Sequence, residues 1–478
     1  MGLEWKKVRV EDIAADQPSA LATGPFGSAI SSKFFVDEGV PVIRGSNLST
    51  DISVRLIDEN IVFISPDKAK EFSRSLAKRG DIVFTCWGTI NQVGLIDENS
   101  RWREYVVSNK QMKLTVDPAK AHSTYIYYVF SSPDKQKEII SNGIGAAVPG
   151  FNLGQLKKHV LRLPPLKIQE AIVRQIQCID EKIYINRRTN QTLEAMAQAI
   201  FKSWFVDFDP VNAKIAAIEQ GEDALRAAMR AISGKTDAEL DQMPREHHDQ
   251  LATTAALFPD AMEKSELGGI PKGWEASPLS KMIQLIGGGT PKRSESSYWG
   301  GTVPWFSVKD VPNDGDVWVV DTDEKITEIG LQKSSTKLLR KGTTIISARG
   351  TVGKLAMVGQ EMAMNQSCYG VVGAEGLGDF FNYFNLKFAV ETLKRNTHGA
   401  VFDTITQATF ETVICIRPEN LVMKQFDEIV GPLLKGIRSN VFQGRNLAEI
   451  RDTILPKFLC GELSVSEVGK LANTAGAA

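Results

Sequence analysis

Few residues in this chain have types and spacings that could do chemistry, and most of those fail the test. Arg349-Gly350-Thr351-Val352-Gly353-Lys354 has the outline of a phosphate loop. Such a loop needs four residues between its glycines and a Ser or Thr after the lysine to hold Mg2+. Here the gap is shorter and Leu355 follows the lysine. Gly143-Ile144-Gly145-Ala146-Ala147-Val148 lacks the third glycine of a dinucleotide fingerprint. Gly287-Gly288-Gly289 runs into Thr290-Pro291, which marks a tight turn and leaves no helix to cradle a phosphate. His247 and His248 have no carboxylate at helical ligand spacing, so a solvated surface is the better reading. Cys86, Cys178, Cys368, Cys415 and Cys460 form no CxxC or Cys/His pattern, which excludes a zinc module and a disulfide framework. The Asn-Pro-Pro-aromatic and Pro-Cys elements of adenine and cytosine methyltransferases do not occur. No catalytic residue, metal ligand or cofactor site is therefore expected.

What these residues sit on is more informative, because the chain is written twice. Ala77-Lys78-Arg79-Gly80-Asp81-Ile82-Val83-Phe84-Thr85-Cys86-Trp87-Gly88-Thr89-Ile90 matches Leu339-Arg340-Lys341-Gly342-Thr343-Thr344-Ile345-Ile346-Ser347-Ala348-Arg349-Gly350-Thr351-Val352 at an offset of 262. Both read as a turn, a β-branched strand and a Gly-Thr loop. Further pairs keep the order: Trp5 with Trp274, Pro41-Val42-Ile43 with Pro304-Trp305-Phe306, Gln111 with Gln366, and Ala147-Val148 with Ala400-Val401. Each copy closes on a strand-like run ending in proline, Val160 to Pro164 and Ile414 to Pro418, and then enters a long helix.

The helices carry a heptad seam. In the first, Ile168, Ile172, Ile176, Ile179, Ile183, Asn186, Asn190, Leu193, Ala197, Ile200 and Trp204 settle into alternating steps of three and four. An offset of 254 gives Val422, Phe426, Val430, Leu433, Ile437, Asn440, Gly444, Leu447, Arg451, Ile454 and Phe458. Arg451 and Gly444 interrupt the second seam, and Pro432 and Pro456 are candidate kinks. Matched registers favour a mutual antiparallel pair over two helices packed on separate cores. Asn186 and Asn440 share a seam position at its midpoint, so a pseudo-dyad would set them face to face, fixing register at some expense of stability. From Ile168 to Trp204 the seam spans about 54 Å, longer than the roughly 34 to 36 Å of one DNA turn. Two heads on such a spacer suit two half-sites, and their unlike sequences suit an asymmetric target.

Composition agrees with a large soluble protein of several domains. The chain has 478 residues, 42% of them hydrophobic and 24% charged, with no apolar run near the ~18 residues of a membrane span and no apolar segment after Met1 to suggest a signal peptide. A cytoplasmic location is expected. The net charge of -1 is an average of unlike parts, since residues 207–266 alone hold 13 acidic and 6 basic side chains.

Several runs together resemble one family. They are Thr23-Gly24-Pro25-Phe26-Gly27-Ser28, Pro41-Val42-Ile43-Arg44-Gly45-Ser46-Asn47, Leu163-Pro164-Pro165-Leu166 before Gln169, and Phe201 to Pro210 (Phe-Lys-Ser-Trp-Phe-Val-Asp-Phe-Asp-Pro). Gly288-Gly289-Thr290-Pro291 with Tyr298-Trp299-Gly300-Gly301, and Ile270-Pro271-Lys272-Gly273-Trp274, extend the likeness over essentially the whole chain. The runs resemble the specificity subunit of type I restriction-modification systems. That resemblance implies an α+β, pseudo-twofold protein with two similar α/β target recognition domains separated by a pair of long antiparallel coiled-coil helices. The divisions are 1–164 (recognition domain 1), 165–206 (helix 1), 207–266 (acidic connector), 267–418 (recognition domain 2), 419–460 (helix 2) and 461–478 (tail). It implies double-stranded DNA as ligand, and two modification (methyltransferase) subunits and restriction/translocase subunits as partners. S-adenosylmethionine, ATP and Mg would belong to those partners, which would carry out adenine methylation and DNA cleavage. The second domain departs by opening with Gly-Gly-Thr-Pro where the first has Gly-Pro-Phe-Gly.

Phosphate contact needs Lys and Arg, and base reading needs side chains able to bond base edges. The DNA candidates are Arg44, Ser46, Asn47, Trp87, Thr89, Asn91, Gln92 and Lys110 in the first domain, and Lys292, Arg293, Lys309, Arg349, Thr351 and Lys354 in the second. Helix pairing is assigned to Ile176, Ile179, Ile183, Asn186, Leu193, Ile200, Val430, Leu433, Ile437, Asn440, Leu447 and Ile454, and partner docking to Gln191, Glu194, Gln198 and Lys202. The competing readings are a two-headed adaptor independent of any methyltransferase, and an enzyme with an unfamiliar site.

Overall fold

The computed structural model describes residues 5–145, 149–374, 376–396 and 404–464. The repeat pair Ala147-Val148 with Ala400-Val401, and the tail from 465 onward, lie outside them. Two compact units result, one from the described residues of Met1–Tyr184 and Arg445–Ala478, the other from those of Ile185–Gly444.

The duplication is visible strand by strand. In the first unit Lys6–Arg9 pairs antiparallel with Val160–Leu163. An antiparallel sheet runs in the order Leu21–Thr23, Gln111–Leu114, Ile82–Thr85, Val93–Leu95. A second sheet holds one parallel pair, Val40–Ile43 beside Glu104–Val107. In the second unit Glu275–Pro278 pairs with Ile414–Arg417. The main sheet follows the same order with Ile283–Gly287, Cys368–Gly373, Thr344–Ser347 and Leu355–Val358, and adds Trp318–Val319 at its edge. The parallel pair recurs as Trp299–Phe306 beside Ala363–Met364. The central strands Ile82–Thr85 and Thr344–Ser347 are buried along their whole length, hence their continuous apolar and threonine runs rather than an alternating pattern. Register also corrects one pairing made from sequence. Gln111 lies opposite Thr85 as Cys368 lies opposite Ser347, so the counterpart of Gln111 is Cys368, and that of Gln366 is Asn109.

The two long helices are Leu166–Phe205 and Asn420–Cys460, and the second runs through Pro432 and Pro456 without interruption. In both units they are antiparallel. In the first, Asp180 meets Arg451 while Ile172 and Ile176 share a core with Leu455 and Phe458. In the second, Asn190 meets Asn440, and Ala197 and Leu434 share a core.

Along the first seam Ile172, Ile176, Ile183, Asn186, Asn190, Ala197 and Trp204 are buried, and Ile179, Leu193 and Ile200 partly so. Ile168 is exposed and Gln169 is buried in its stead, accepting from His122 N at 2.9 Å and donating to Pro164 O at 2.8 Å. Along the second, Val422, Phe426, Val430, Ile437, Arg451 and Phe458 are buried, with Leu433, Asn440, Leu447 and Ile454 partly buried. Leu434 and Leu455 are fully buried beside them, because this helix also covers the domain cores.

The seam's polar positions differ from the face-to-face expectation. Asn440 Nδ2 donates to Asn190 Oδ1 at 2.9 Å, and Asn186 Nδ2 donates to Gln443 Oε1 at 2.9 Å and to the Asn440 carbonyl at 3.5 Å. The antiparallel register places each asparagine one turn from where strict symmetry about Asn186 and Asn440 would set it. Asn190 has Gly444 as its counterpart, so its bond has no copy. Arg451 is buried because Asp180 is there to receive it at 3.0 Å, with Arg55 Nη2 and Tyr128 Oη on the other carboxylate oxygen at 3.0 and 2.7 Å.

The acidic connector is folded. Helices Asp209–Gln220, Ala224–Ser233, Asp237–Asp241 and Arg245–Ala256 pack around Ala228, Met229, Leu240 and Ala255, and a hairpin Met262–Ser265/Gly268–Pro271 follows. Phe208 and Phe258 join Trp204 and Trp274 in the core of the second unit.

Candidate nucleic-acid interface

Five segments of the first unit converge through backbone hydrogen bonds. Ser108 N donates to Ile43 O at 3.0 Å, Cys86 N to Lys110 O at 2.7 Å, Phe151 N to Cys86 O at 2.8 Å and Gly24 N to Gln111 O at 2.9 Å. The loops 23–28, 85–92 and 108–111 thereby share one end of the main sheet, and loop 43–47, from the second sheet, is bonded to them. Three of those bonds recur in the second unit: Asn365 N to Phe306 O at 2.9 Å, Ala348 N to Ser367 O at 2.8 Å, and Ile405 N to Ala348 O at 2.9 Å. The glycine turns match as well, with Gly88 at φ +94° and Gly350 at φ +77°. A methyl group on Gly24 would lie 1.8 Å from Ser108 O, and one on Gly288 would lie 1.9 Å from Asn365 O. The differing runs Gly-Pro-Phe-Gly and Gly-Gly-Thr-Pro thus sit on one backbone mount.

What the mounts display differs. In the first unit Ser46, Trp87, Thr89 and Lys110 are exposed, and Arg44 and Asn91 are half-buried. Asn47 and Gln92 face inward. Asn47 is buried, accepting from Arg44 N at 3.0 Å and donating to Ile57 O at 2.9 Å, and Gln92 Nε2 donates to Leu48 O at 3.0 Å. Both amides hold the loops together through these bonds. In the second unit Lys292, Lys309, Arg349, Thr351 and Lys354 are exposed. Lys292 Nζ lies 3.5 Å from Glu295. Arg293 lies over Trp299 at 3.8 Å and Trp305 at 5.1 Å and is paired with Glu324 through both terminal nitrogens. The Arg293 guanidinium holds the Glu324 carboxyl below the usual carboxylate range. Free phosphate contact by Arg293 would first have to break this pair. Lys354 lines a cavity of about 290 Å³ shared with Lys387, Lys394, Glu194, Asp314 and Glu391.

Sequence reasoning passed over Phe26, which is 85% exposed. Its signal lay in the Gly24-Pro25-Phe26-Gly27 run, where glycine and proline leave only the aromatic side chain to project. Gln111 was also overlooked as a support. It is buried, its Oε1 accepts from Ser108 Oγ, and its Nε2 has no hydrogen-bond partner among the described residues.

The domain model described as the type I restriction modification DNA specificity domain matches residues 3–195 and 271–418. This chain belongs to the type I restriction-modification specificity subunits. The HindI specificity subunit of Haemophilus influenzae is 31% identical over 96% of this chain and 100% of that protein. The MjaIX specificity subunit of Methanocaldococcus jannaschii is 22% identical over 85% of this chain and 82% of its own. Among solved structures, the S subunit from M. genitalium aligns with a TM-score of 0.49 and 13% identity over 95% of this chain and 96% of that one.

Of the four docking candidates on this specificity subunit's first long helix, two turn inward. Lys387 Nζ donates to Glu194 and, at 3.1 Å, to Gln198 Oε1. Lys202 is exposed and pairs with Asp207. Gln191 is exposed, and Gly315 approaches it so closely that a methyl group there would lie 2.7 Å from its Cγ. The outward face also shows Ile185 and Met196, 53% and 49% exposed. Among the described residues no cluster of His, Cys, Asp and Glu is arranged to hold a metal, and no helix is long and apolar enough to cross a membrane.

Proposed function

We propose that this specificity subunit reads a bipartite, asymmetric DNA sequence, one half-site through each set of converging loops. The observation that carries this is the repeated loop mount with different side chains on it. A common frame fixes how a domain meets the duplex, and unlike tips make the two half-sites unlike. Ser46, Trp87, Thr89, Asn91 and Lys110 with Arg44 serve the first half-site, and Lys292, Lys309, Arg349, Thr351 and Lys354 the second. The paired helices set the spacing, and their outward face, including Gln191, Lys202, Ile185 and Met196, receives the modification subunits. Restriction subunits join that complex. S-adenosylmethionine, ATP and Mg act on those partners, and this chain supplies recognition alone.

Co-expression with the cognate modification subunit, followed by genome-wide mapping of methylated adenine, tests the reading. A two-part motif with unlike halves and a fixed gap is expected. A palindromic or contiguous motif, or no adenine methylation dependent on this chain, would refute it.

A further inference from the structure

The two copies differ at one buried place. Ile82 lies opposite Leu95 as Thr344 lies opposite Met357. Leu95 N donates to Arg55 O at 2.9 Å and Met357 N to Val317 O at 2.8 Å, so Val317 stands where the first copy has Arg55. The loop leading there is shorter in the second copy. Asn47 accepts from Arg44 N as Asp310 accepts from Ser307 N, and Asp310 to Val317 spans one residue fewer than Asn47 to Arg55.

In the first copy the chain fills this place itself. The Arg55 guanidinium lies over the rings of Tyr127 and Tyr128 at 4.5 and 4.7 Å and bonds Tyr128 Oη and Asp180. The Tyr127 hydroxyl donates to Ile52 O at 2.9 Å. In the second copy none of this is repeated. Tyr127 and Tyr383 are each the fifth residue of matching helices, Ser123–Ser131 and Asp379–Asn396. Tyr383 is 5% exposed, yet its hydroxyl makes no hydrogen bond among the described residues. It lines the cavity of about 290 Å³, together with Val317 and the shortened loop. A buried phenol without a partner costs free energy, and a ligand in the cavity would supply the missing partner.

The surrounding charge selects the ligand. Glu194, Asp314 and Glu391 act on the Tyr383 hydroxyl, and burial together with these carboxylates raises its pKa well above the ordinary tyrosine value. Lys387 is held by Glu194 and Gln198, and Lys354 and Lys394 are exposed to solvent. Asp314 and Glu391 make no ion pair among the described residues. Leu355 and Val390 add apolar wall. A guanidinium carries donors only, which matches a phenol oxygen and carboxylates as acceptors.

We propose that this cavity of the second unit binds a guanidinium cation on a short apolar stem. The tip is held by Tyr383 Oη and the carboxylates of Asp314 and Glu391, and the stem lies against Leu355 and Val390. A free small molecule and an arginine side chain of a partner subunit both present this chemistry.

Calorimetric titration of the full chain with butylguanidinium tests the site. Saturable binding is expected, with none for butylurea, which has a similar shape without the charge. Tyr383→Phe should weaken binding roughly tenfold, and Glu391→Gln and Asp314→Asn should each weaken it as well. Asp314 is exposed, so thermal unfolding of Asp314→Asn should match the parent. Repeating the titration with the modification subunit present separates the two sources. Butylguanidinium that competes with assembly marks the cation as a partner's arginine, and binding undisturbed by assembly marks a free small molecule. Absence of saturable binding, equal binding of butylurea, tighter binding of the anion butylsulfonate, or binding that none of the three substitutions weakens would each overturn the proposal.

Discussion

At the residue scale, the side chains that break the sequence pattern are the ones with the most specific partners. Arg451 falls on an apolar seam, and its counterpart in the first helix is Ala197. The charge is accommodated because Asp180 stands where the second unit has Leu434, so an apolar pair in one unit answers a buried ion pair in the other. Arg451→Ala should cost about 3 kcal/mol, since it strips one cation from a buried carboxylate, measurable by urea denaturation. Converting both residues to the apolar pair, Asp180→Leu with Arg451→Ala, should not restore stability. Arg55, whose Nη2 bonds the same carboxylate, would then be the buried charge without an anion. Asp427 offers a pH test. Its carboxylate accepts from Phe380 N and Phe381 N at 3.2 and 2.7 Å, at the start of helix Asp379–Asn396. Burial nevertheless pushes its pKa from 3.8 up to about 6. Between those values the folded chain holds a proton that the unfolded chain has released, so this group's contribution is full at low pH and is lost as pH rises through about 6. Asp427→Asn should flatten the pH dependence of the melting temperature across that window relative to the parent.

At the element scale, periodicity reported the helices well because 3.5-residue spacing survives in the letters. It misplaced detail wherever a side chain serves two neighbours. Glu194 and Gln198 read as outward polar positions, yet Lys387 from another helix binds both, and no local pattern encodes that long-range partner. Asn47 and Gln92 have the amide chemistry that base reading needs, and in the fold the same amides bond the loop carbonyls of Ile57 and Leu48. Gly24 and Gly288 were legible as turn residues, whereas the backbone oxygen each approaches comes from a strand connection some 80 residues away in sequence. Gly24→Ala should therefore damage the first half-site and leave the second readable, and Gly288→Ala the reverse. Half-site-resolved methylation of the two variants would check this, and equal loss at both halves would contradict it.

At the scale of the whole molecule, the helical pair acts as a spacer in the proposed reading. Removing seven residues from each helix preserves the seam and shortens both by about 10 Å, so the gap between half-sites should change by about three base pairs at 3.4 Å per step. Methylation mapping that returned the original gap would remove the spacer role. Charge bears on the same scale. The acidic surplus is concentrated in the helical connector, and only a modest basic excess remains elsewhere. Binding of duplex DNA by the chain alone should therefore be weak and fall steeply with salt, and the modification subunits should strengthen it; gel-shift titration at two salt concentrations would measure both.

The way the units are composed also sets an order of events during synthesis. The second unit is an unbroken stretch, Ile185–Gly444, whereas the first needs residues from Arg445 onward to be complete. A ribosome moving from the amino end releases the first domain with the apolar floor that Leu455 and Phe458 will cover still open, and with Asp180 still lacking Arg451. Maturation of the domain made first then waits for the last turns of the chain, and nascent chains stalled before residue 445 should be the species that chaperones hold and proteases clear.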